Sequence, residues 1–163
     1  VWHPQREHLF LPTLLLLTGP GLSTAFELWG STLETLIISL YTRQPSASIF
    51  QIIDQNCKIL TVLMLRVCDL DNQISSTITN CLPGLKVFVL RCDAIEKDAL
   101  KNLLDGLANL DELYISISAT ALATDPFGLS EILAPFQDES IVQKASMLRV
   151  FHFCLGACAK VLG

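Results

Sequence analysis

A short apolar phrase, L-x-x-L-x-L, recurs along the chain. In a β-strand, alternate side chains point to opposite faces, so the fourth and sixth positions are predicted to face inward. The first residues of successive phrases are 22, 27, 25, 25 and 38 positions apart. Four copies are well formed, namely Leu33, Leu36, Ile38; Leu60, Leu63, Leu65; Leu85, Phe88, Leu90; and Leu110, Leu113, Ile115. Looser copies are Leu11, Leu14, Leu16 and Leu148, Phe151, Phe153.

The segments between the phrases carry apolar residues at helical spacing, which predicts a helix after each strand. Gly106 and Asn109 are candidate end signals for the third of these helices. The predicted inward residues are Ile49, Ile52, Ile53 in the first, Ile74, Ile78 in the second, and Ala99, Leu100, Leu103, Leu104, Leu107 in the third.

Four of the five intervals fall within the roughly 20–29 residues typical of leucine-rich repeats. Such units stack so that each buries its apolar side against its neighbours. The sequence therefore predicts an α/β leucine-rich-repeat solenoid of about six irregular repeats, with parallel strands on the concave face and helices on the convex face. The alternative is an ordinary α/β domain whose leucine-rich strands happen to be evenly spaced.

The length of 163 residues fits one domain over 1–163, with an insertion at about 119–146 in the longest interval. An irregular or helical part is expected around 125–137, with Pro126 and Pro135 near its two ends. A short helix from Asp138 or Ser140 to Ala145 is expected to follow. Its predicted inward residues are Ile141, Val142 and Ala145. Because the sequence begins with Val1 rather than Met, we expect a fragment of a longer chain.

Composition narrows the range of functions. Hydrophobic residues make up 51% of the chain and charged residues 17%, which excludes disorder for most of its length. The net charge is −5 and the 11 basic residues are scattered, so nucleic acid is not an expected partner. The apolar run from Leu9 to Leu17 follows Arg6, so a signal peptide is the alternative interpretation, but Glu7 and Pro12 argue against it. The run is also far shorter than the ~20 residues of a membrane span, so no membrane segment is expected.

The six cysteines do not indicate a secreted disulfide framework, since that inference belongs to short chains with small apolar cores. Reduced thiols in the cytoplasm or nucleus are expected. Cys57, Cys68, Cys81 and Cys92 are spaced too widely for zinc pairs. Since the interval from Cys57 to Cys81 equals that from Cys68 to Cys92, we expect these residues to align as a buried apolar spine.

Other candidate chemistry is sparse. His152, Cys154 and Cys158 form an incomplete ligand group, so no metal is predicted. Residues 18–21 (TGPG) indicate a turn rather than a phosphate loop, because no Lys-Ser/Thr follows. No nucleophile motif is present, so neither an enzyme nor a cofactor is predicted. The carboxylates of Asp69, Asp71, Asp93, Glu96 and Asp98 are expected to cap helix N-termini.

Outward residues of stacked parallel strands line up in columns, with about 4.8 Å between neighbouring residues of one column. The predicted columns are Thr35, Val62, Val87, Glu112; Ile37, Met64, Val89, Tyr114; and Ser39, Arg66, Arg91, Ser116. Aromatic residues, Met and Arg are enriched in protein interfaces. The predicted protein-binding residues on the concave face are Ile37, Met64, Arg66, Val89, Arg91, Glu112 and Tyr114. The alternative is that this apolar column reflects strand propensity, or is covered by further repeats or a tail.

Two stretches carry a family resemblance: NCKILTVLMLRVCDLD and NCLPGLKVFVLRCDAIEKDALKNLLDGLANLDELYIS. They resemble the cysteine-containing repeats of plant F-box/leucine-rich-repeat proteins, a likeness that DESIVQKASMLRVFHFCLGAC extends. The resemblance implies a substrate-recognition subunit of a Skp–cullin–F-box (SCF) ubiquitin ligase, with a substrate protein on the concave face.

This sequence departs from the family pattern at both ends. No F-box is found, so adaptor binding follows only if one lies in an N-terminal region outside this sequence. The ending AKVLG also differs from the polar, cysteine- and aromatic-bearing tail of that group. The alternative function is a sensing fragment of an immune-receptor-type leucine-rich-repeat protein, with no link to a ligase.

Overall fold

The computed structural model describes residues 8–11, 19–40, 47–118 and 129–156. Within these ranges the protein is α/β, and six parallel strands form one sheet in the order β1-β2-β3-β5-β7-β8. The six strands are β1 (His8–Leu11), β2 (Thr35–Ser39), β3 (Val62–Arg66), β5 (Val87–Cys92), β7 (Glu112–Ile117) and β8 (Val150–Leu155). A separate two-residue ladder, which the sequence did not predict, joins β4 (Asp69–Leu70) to β6 (Ala94–Ile95).

Helices lie between the strands and pack on one face of the sheet. They are α1 (Gly19–Trp29), α2 (Ala47–Asn56), α3 (Asn72–Cys81), α4 (Lys97–Gly106), α5 (Leu129–Leu133) and α6 (Glu139–Ala145), with 3-10 turns at Gly30–Thr32 and Ala134–Gln137. The inward strand residues Leu36, Leu63 and Phe88 are fully buried, and they share one apolar core with Ile53 of α2 and Leu103 of α4. The other face of the sheet carries none of the described helices.

The same turn leads from each helix into the next strand. The amide of Leu85 donates to the carbonyl of Leu82 at 3.3 Å, and that of Leu110 to Leu107 at 3.0 Å. Strand pairing then places Val87 opposite Val62 and Glu112 opposite Val87, which is the same shift along the chain both times. The backbone geometry of these units therefore repeats at the same interval as the apolar residues of the sequence phrases.

The first strand phrase was assigned to the wrong residues. Leu9 and Leu11 of β1 pair with Leu36 and Ile38 of β2, so they occupy the positions predicted for Leu14 and Leu16. The latter two lie outside the described residues. Both candidate runs are similarly apolar, so hydrophobic spacing alone could not choose between them. Hydrogen bonding to β2 decides the register.

The expected turn at residues 18–21 was also misplaced. Residue 18 lies outside the described part of the chain, and Gly19 is the first residue of α1. Pro20 is therefore in the first helical turn. A proline is tolerated there because the first amide hydrogens of a helix have no partner within it.

The cysteine spine predicted from matching intervals is wrong. The interval between the cysteines is one residue shorter than the shift between neighbouring strands, so Cys92 corresponds to Val67 rather than to Cys68. It extends β5 at the position next to Arg91. Similarly, Cys57 has the place in the turn that Leu82 has in the next unit. Cys57 and Cys92 are nonetheless buried, as expected of small apolar side chains.

The long interval contains α5, a 3-10 turn and α6, while residues 119–128 lie outside the described part. Helix α6 begins after Asp138, as predicted, and this N-cap carboxylate accepts hydrogen bonds from the amides of Ser140 and Ile141. Val142 was predicted to face inward but is 51% exposed. Its neighbour Ile141 lies on the face of this short helix that packs against the core.

The last phrase is less buried than predicted. Phe151 is 36% exposed, and Phe153 is half-buried against Phe136, with ring centroids 4.1 Å apart. Strand β8 pairs only with β7 within the described residues. Its inward side chains therefore lack the second neighbouring strand that covers Phe88 and Leu113.

Only some of the expected caps form. Asp71 caps α3, accepting a hydrogen bond from the Ile74 amide at 2.7 Å. Glu96 holds the N-cap position of α4 but makes no cap bond there. Its carboxylate accepts instead from the amide and side chain of Asn72, at 3.2 and 3.3 Å, and so supports the start of the preceding helix.

The remaining carboxylates have other positions. Asp69 is the first residue of β4, Asp93 lies between β5 and β6, and Asp98 is in the first turn of α4. Asp98 therefore complements the helix dipole without a cap hydrogen bond. The predicted capping role is wrong for Asp69 and Asp93, because neither residue stands at the start of a helix.

Candidate protein-binding site

The candidate site is the sheet face opposite the helices, here called the open face. Strand pairing arranges its side chains in three rows across β2, β3, β5, β7 and β8. The upper row is Thr35, Val62, Val87, Glu112 and Val150; the middle row is Ile37, Met64, Val89, Tyr114 and His152; the lower row is Ser39, Arg66, Arg91, Ser116 and Cys154. All seven residues proposed from the sequence therefore share one surface, and β8 adds one residue to each row.

The middle of the open face is a shallow depression of about 130 Å³. In the middle row, Val89 lies between the larger side chains of Met64 and Tyr114. The lining residues are Thr35, Ile37, Val62, Met64, Val87, Val89, Glu112 and Tyr114. Val89 is only 4% exposed and forms the floor. An apolar recess with larger side chains around it can accept a protruding apolar side chain.

Glu112 and Tyr114 form a fixed polar edge to this depression. The Tyr114 hydroxyl donates to Glu112 Oε2 at 2.8 Å, and the Arg149 guanidinium pairs with the other carboxylate oxygen of Glu112. The Tyr114 ring also lies 6.2 Å from the His152 ring, tilted by 44°. The tyrosine is therefore held in place before any partner arrives, which reduces the entropy lost on binding.

Arg66 and Arg91 lie side by side in the lower row, on adjacent strands. Arg66 is exposed and Arg91 is half-buried. Next to them, the Ser116 hydroxyl donates to the Gly156 carbonyl at 2.7 Å. Guanidinium groups keep their charge at any physiological pH and bind carboxylates through two parallel hydrogen bonds. The lower row thus combines positive charge with the apolar recess above it.

Sequence reasoning missed several residues of this surface. Val62 and Val87 were placed in a column but not among the binding residues, although their small size creates the depression. Arg149 was not considered, because the last phrase gave no indication of its ion pair with Glu112. His152 was considered only as a metal ligand. The pairing of β7 with β8 would have indicated both, but those strands are separated by the irregular interval.

Metal and thiol chemistry has little support in the described residues. They contain no group of three or more side chains able to hold a metal ion, and Cys158 lies outside them. Burial raises the pKa of the Cys57 thiol to about 11. Burial, together with the nearby carboxylates of Asp93 and Asp69, raises the pKa of Cys92 still further. Thiols held protonated are poor nucleophiles and poor ligands.

Across the part of the chain that the structure describes, no helix is both long and apolar enough to cross a membrane.

The charged side chains of the open face lie in its upper and lower rows. Glu112 pairs with Arg149 at the upper row, and the lower row contains Arg66 and Arg91.

The chain is similar to an F-box/LRR-repeat protein of Arabidopsis thaliana, with 27% identity over 152 residues. The aligned part covers 93% of this chain and 48% of that protein, so the chain spans about half the length of this curated relative. No protein-family profile matches the chain, and no solved structure matches it. This likeness supports a relationship to leucine-rich-repeat F-box proteins and a role in protein interaction.

Proposed function

We propose that this chain is the leucine-rich-repeat solenoid of an F-box protein and binds a substrate protein on its open, concave face. Each of the roughly six irregular units contributes one strand to that face. The observation that carries the proposal is the middle row, where Ile37, Met64, Val89 and Tyr114 lie in register on four neighbouring strands. Binding, rather than catalysis, is the activity that this surface supports.

Two features make the row suitable for a protein partner. Its apolar members surround a recess, and its tyrosine is fixed by Glu112 and the neighbouring His152. Buried aromatic anchors in preformed recesses contribute most of the affinity in many interfaces. The likeness to the Arabidopsis protein favours the F-box interpretation over the sensing alternative.

The binding role can be tested with a matched pair of substitutions. Met64→Glu places a charge in the recess, while Ile59→Glu places the same charge at an exposed apolar residue outside the open face. Wild type and both variants would serve as baits in plant cell extract, and captured proteins would be retested in purified form. Proteins that bind wild type and Ile59→Glu but not Met64→Glu support the proposal. Equal capture by all three baits would contradict it.

The ligase link needs a separate experiment, because it concerns the longer parent protein. If that protein presents substrates for ubiquitination in the cytoplasm or nucleus, depleting it from cells will lengthen the half-life of a partner identified as above. Restoring the wild-type protein, but not the Met64→Glu form, will shorten the half-life again. An unchanged half-life after depletion would leave the partner as a ligand with no degradation role.

A further inference from the structure

The arrangement of charge on the open face indicates what kind of segment it accepts. We propose that the face binds an extended peptide segment in which an Asp or Glu lies one to three residues from a bulky apolar residue. The carboxylate pairs with Arg66 and Arg91, and the apolar side chain enters the depression above Val89. This inference rests on the proposed function and specifies the chemistry of its partner.

The spacing follows from the geometry of the sheet. Arg66 and Arg91 are each two residues further along their strands than Met64 and Val89, so the rows are separated by roughly 7 Å. An extended peptide advances about 3.3 Å per residue. In the bound peptide, the acidic residue therefore lies about two residues from the apolar residue that enters the recess. The length of the arginine side chains also allows a spacing of one or three residues.

The two ends of the depression differ in charge, which gives the bound segment a direction. At the upper row, Glu112 already accepts from Tyr114 and pairs with Arg149. An incoming carboxylate at that end would meet an ion pair with no net charge. At the lower row it meets two guanidinium groups on neighbouring strands. The acidic end of the segment therefore lies at the lower row.

A single carboxylate fits this surface better than a polyanion. Asp69 and Asp93, both exposed, follow Arg66 and Arg91 by three and two residues and limit the positive potential at this end of the sheet. Nucleic acid binding needs many cations along a track. Two arginines beside an apolar recess instead match a short motif, in which the fork-shaped guanidinium recognises the carboxylate and the recess recognises the apolar side chain.

The test is selection from a display library of random short peptides against the purified chain. We expect enrichment of sequences with Asp or Glu one to three residues from Leu, Ile, Phe or Met. Synthetic copies of the enriched peptides would then be measured against Arg66→Glu/Arg91→Glu. The expected loss of affinity is about tenfold or more, because reversing the charge removes the ion pairs and adds repulsion. Arg66→Lys/Arg91→Lys should lose less, since it keeps the charge without the fork.

The matched control is Lys58→Glu/Lys101→Glu, which changes the net charge equally at two exposed lysines outside the open face. It should bind the peptides like wild type, and thermal melting of every variant checks that the fold is kept. Peptides that lose binding in Met64→Glu but not in the arginine variant would overturn this inference while leaving the proposed function intact. No enrichment, or binding insensitive to every open-face variant, would overturn both. A preference for phosphoserine over aspartate in the same peptide would overturn the choice of a carboxylate.

Discussion

At the scale of single residues, Gly106 was correctly placed at the end of a helix, but its role is different from the one its position suggests. None of the described glycines except Gly156 has a positive φ, so Gly106 is not a left-handed cap. A Cβ at Gly106 would lie 2.6 Å from the Cβ and Cγ2 atoms of Thr79 on the neighbouring helix. The glycine allows α3 and α4 to approach each other.

We expect Gly106→Ala to lower the free energy of unfolding by about 1–3 kcal/mol, because the added methyl group forces apart two closely packed helices. Urea denaturation would measure the loss. The control is Gly84→Ala, since nothing lies within 4 Å of a Cβ at Gly84. It should be neutral or slightly stabilising. Equal effects of the two substitutions would show that the contact with Thr79 does not decide the result.

Cys57 gives a prediction about pH at the same scale. Burial raises its pKa from the ordinary value of about 9 to about 11. Below pH 9 the thiol is protonated in both the folded and unfolded chain and has no effect on the pH dependence. Between pH 9 and 11 the unfolded chain ionises first, so stability falls as the pH rises through this window.

The size of this loss should be on the order of 2 kcal/mol for Cys57 alone. In Cys57→Ala the fall in stability between pH 8 and pH 10.5 should be smaller by that amount, as measured by urea denaturation at both values. Val67→Ala serves as the control, because it removes a buried side chain without an ionisable group. If the fall is unchanged in Cys57→Ala, the thiol titrates normally in the folded protein.

At the scale of elements, neighbouring units stabilise one another through polar contacts at the helix starts. The first turn of α3 is satisfied by its own Asp71 and by Glu96 from the next unit. Asn102 of α4 also donates to the Asn72 side chain at 2.9 Å. Further on, Lys97 of α4 pairs with Asp138 at 2.5 Å, and this contact, together with Ser140, holds the pKa of the Asp138 carboxyl well below its usual range.

We expect Asp71→Ala to lower the free energy of unfolding by about 1 kcal/mol, because the Ile74 amide loses its side-chain acceptor at the helix start. Asp71→Asn is the control, since its side-chain oxygen can accept the same hydrogen bond. Thermal unfolding of both variants would measure the difference. A loss of equal size in Asp71→Asn would assign the effect to charge instead of capping.

At the scale of the whole molecule, exposed apolar surface is concentrated in the unit that contains α6 and β8. Of the six large apolar side chains exposed among the described residues, four belong to it: Val142, Met147, Phe151 and Leu155. Strand β8 also pairs on one side only within the described residues. Exposed strand edges next to apolar surface promote association between copies of a chain.

We therefore expect the isolated chain to self-associate as its concentration rises, and Val142→Lys/Met147→Lys to reduce this association. Sedimentation velocity over a range of concentrations would measure it. Leu28→Lys/Ile59→Lys is the control, because it adds the same charges at exposed apolar residues in other units. A wild-type chain that stays monomeric, or an equal effect of the two variants, would contradict the prediction.

Most of the sheet was predictable because strand and helix periodicities are local properties of the chain. The phrases at Leu60, Leu85 and Leu110 fall at the turns into β3, β5 and β7, and the inward residues after them are buried. The prediction was wrong where two similarly apolar runs, one at Leu9 and one at Leu14, could each form the same strand. It also failed where an interval was close to the true repeat but not equal to it, as for the cysteines.

Along β2, β3, β5 and β7, the sequence by itself determined which side chains face the core and which face out, because alternation along a strand and the regular interval between phrases need no knowledge of neighbours. It therefore also determined the rows of the open face. Tertiary structure alone decided the details: the depth of the recess above Val89, the pairing of Arg149 with Glu112, and the contact of Gly106 with Thr79. Each of these joins residues that lie far apart in the sequence, whose distance is set only when the units stack.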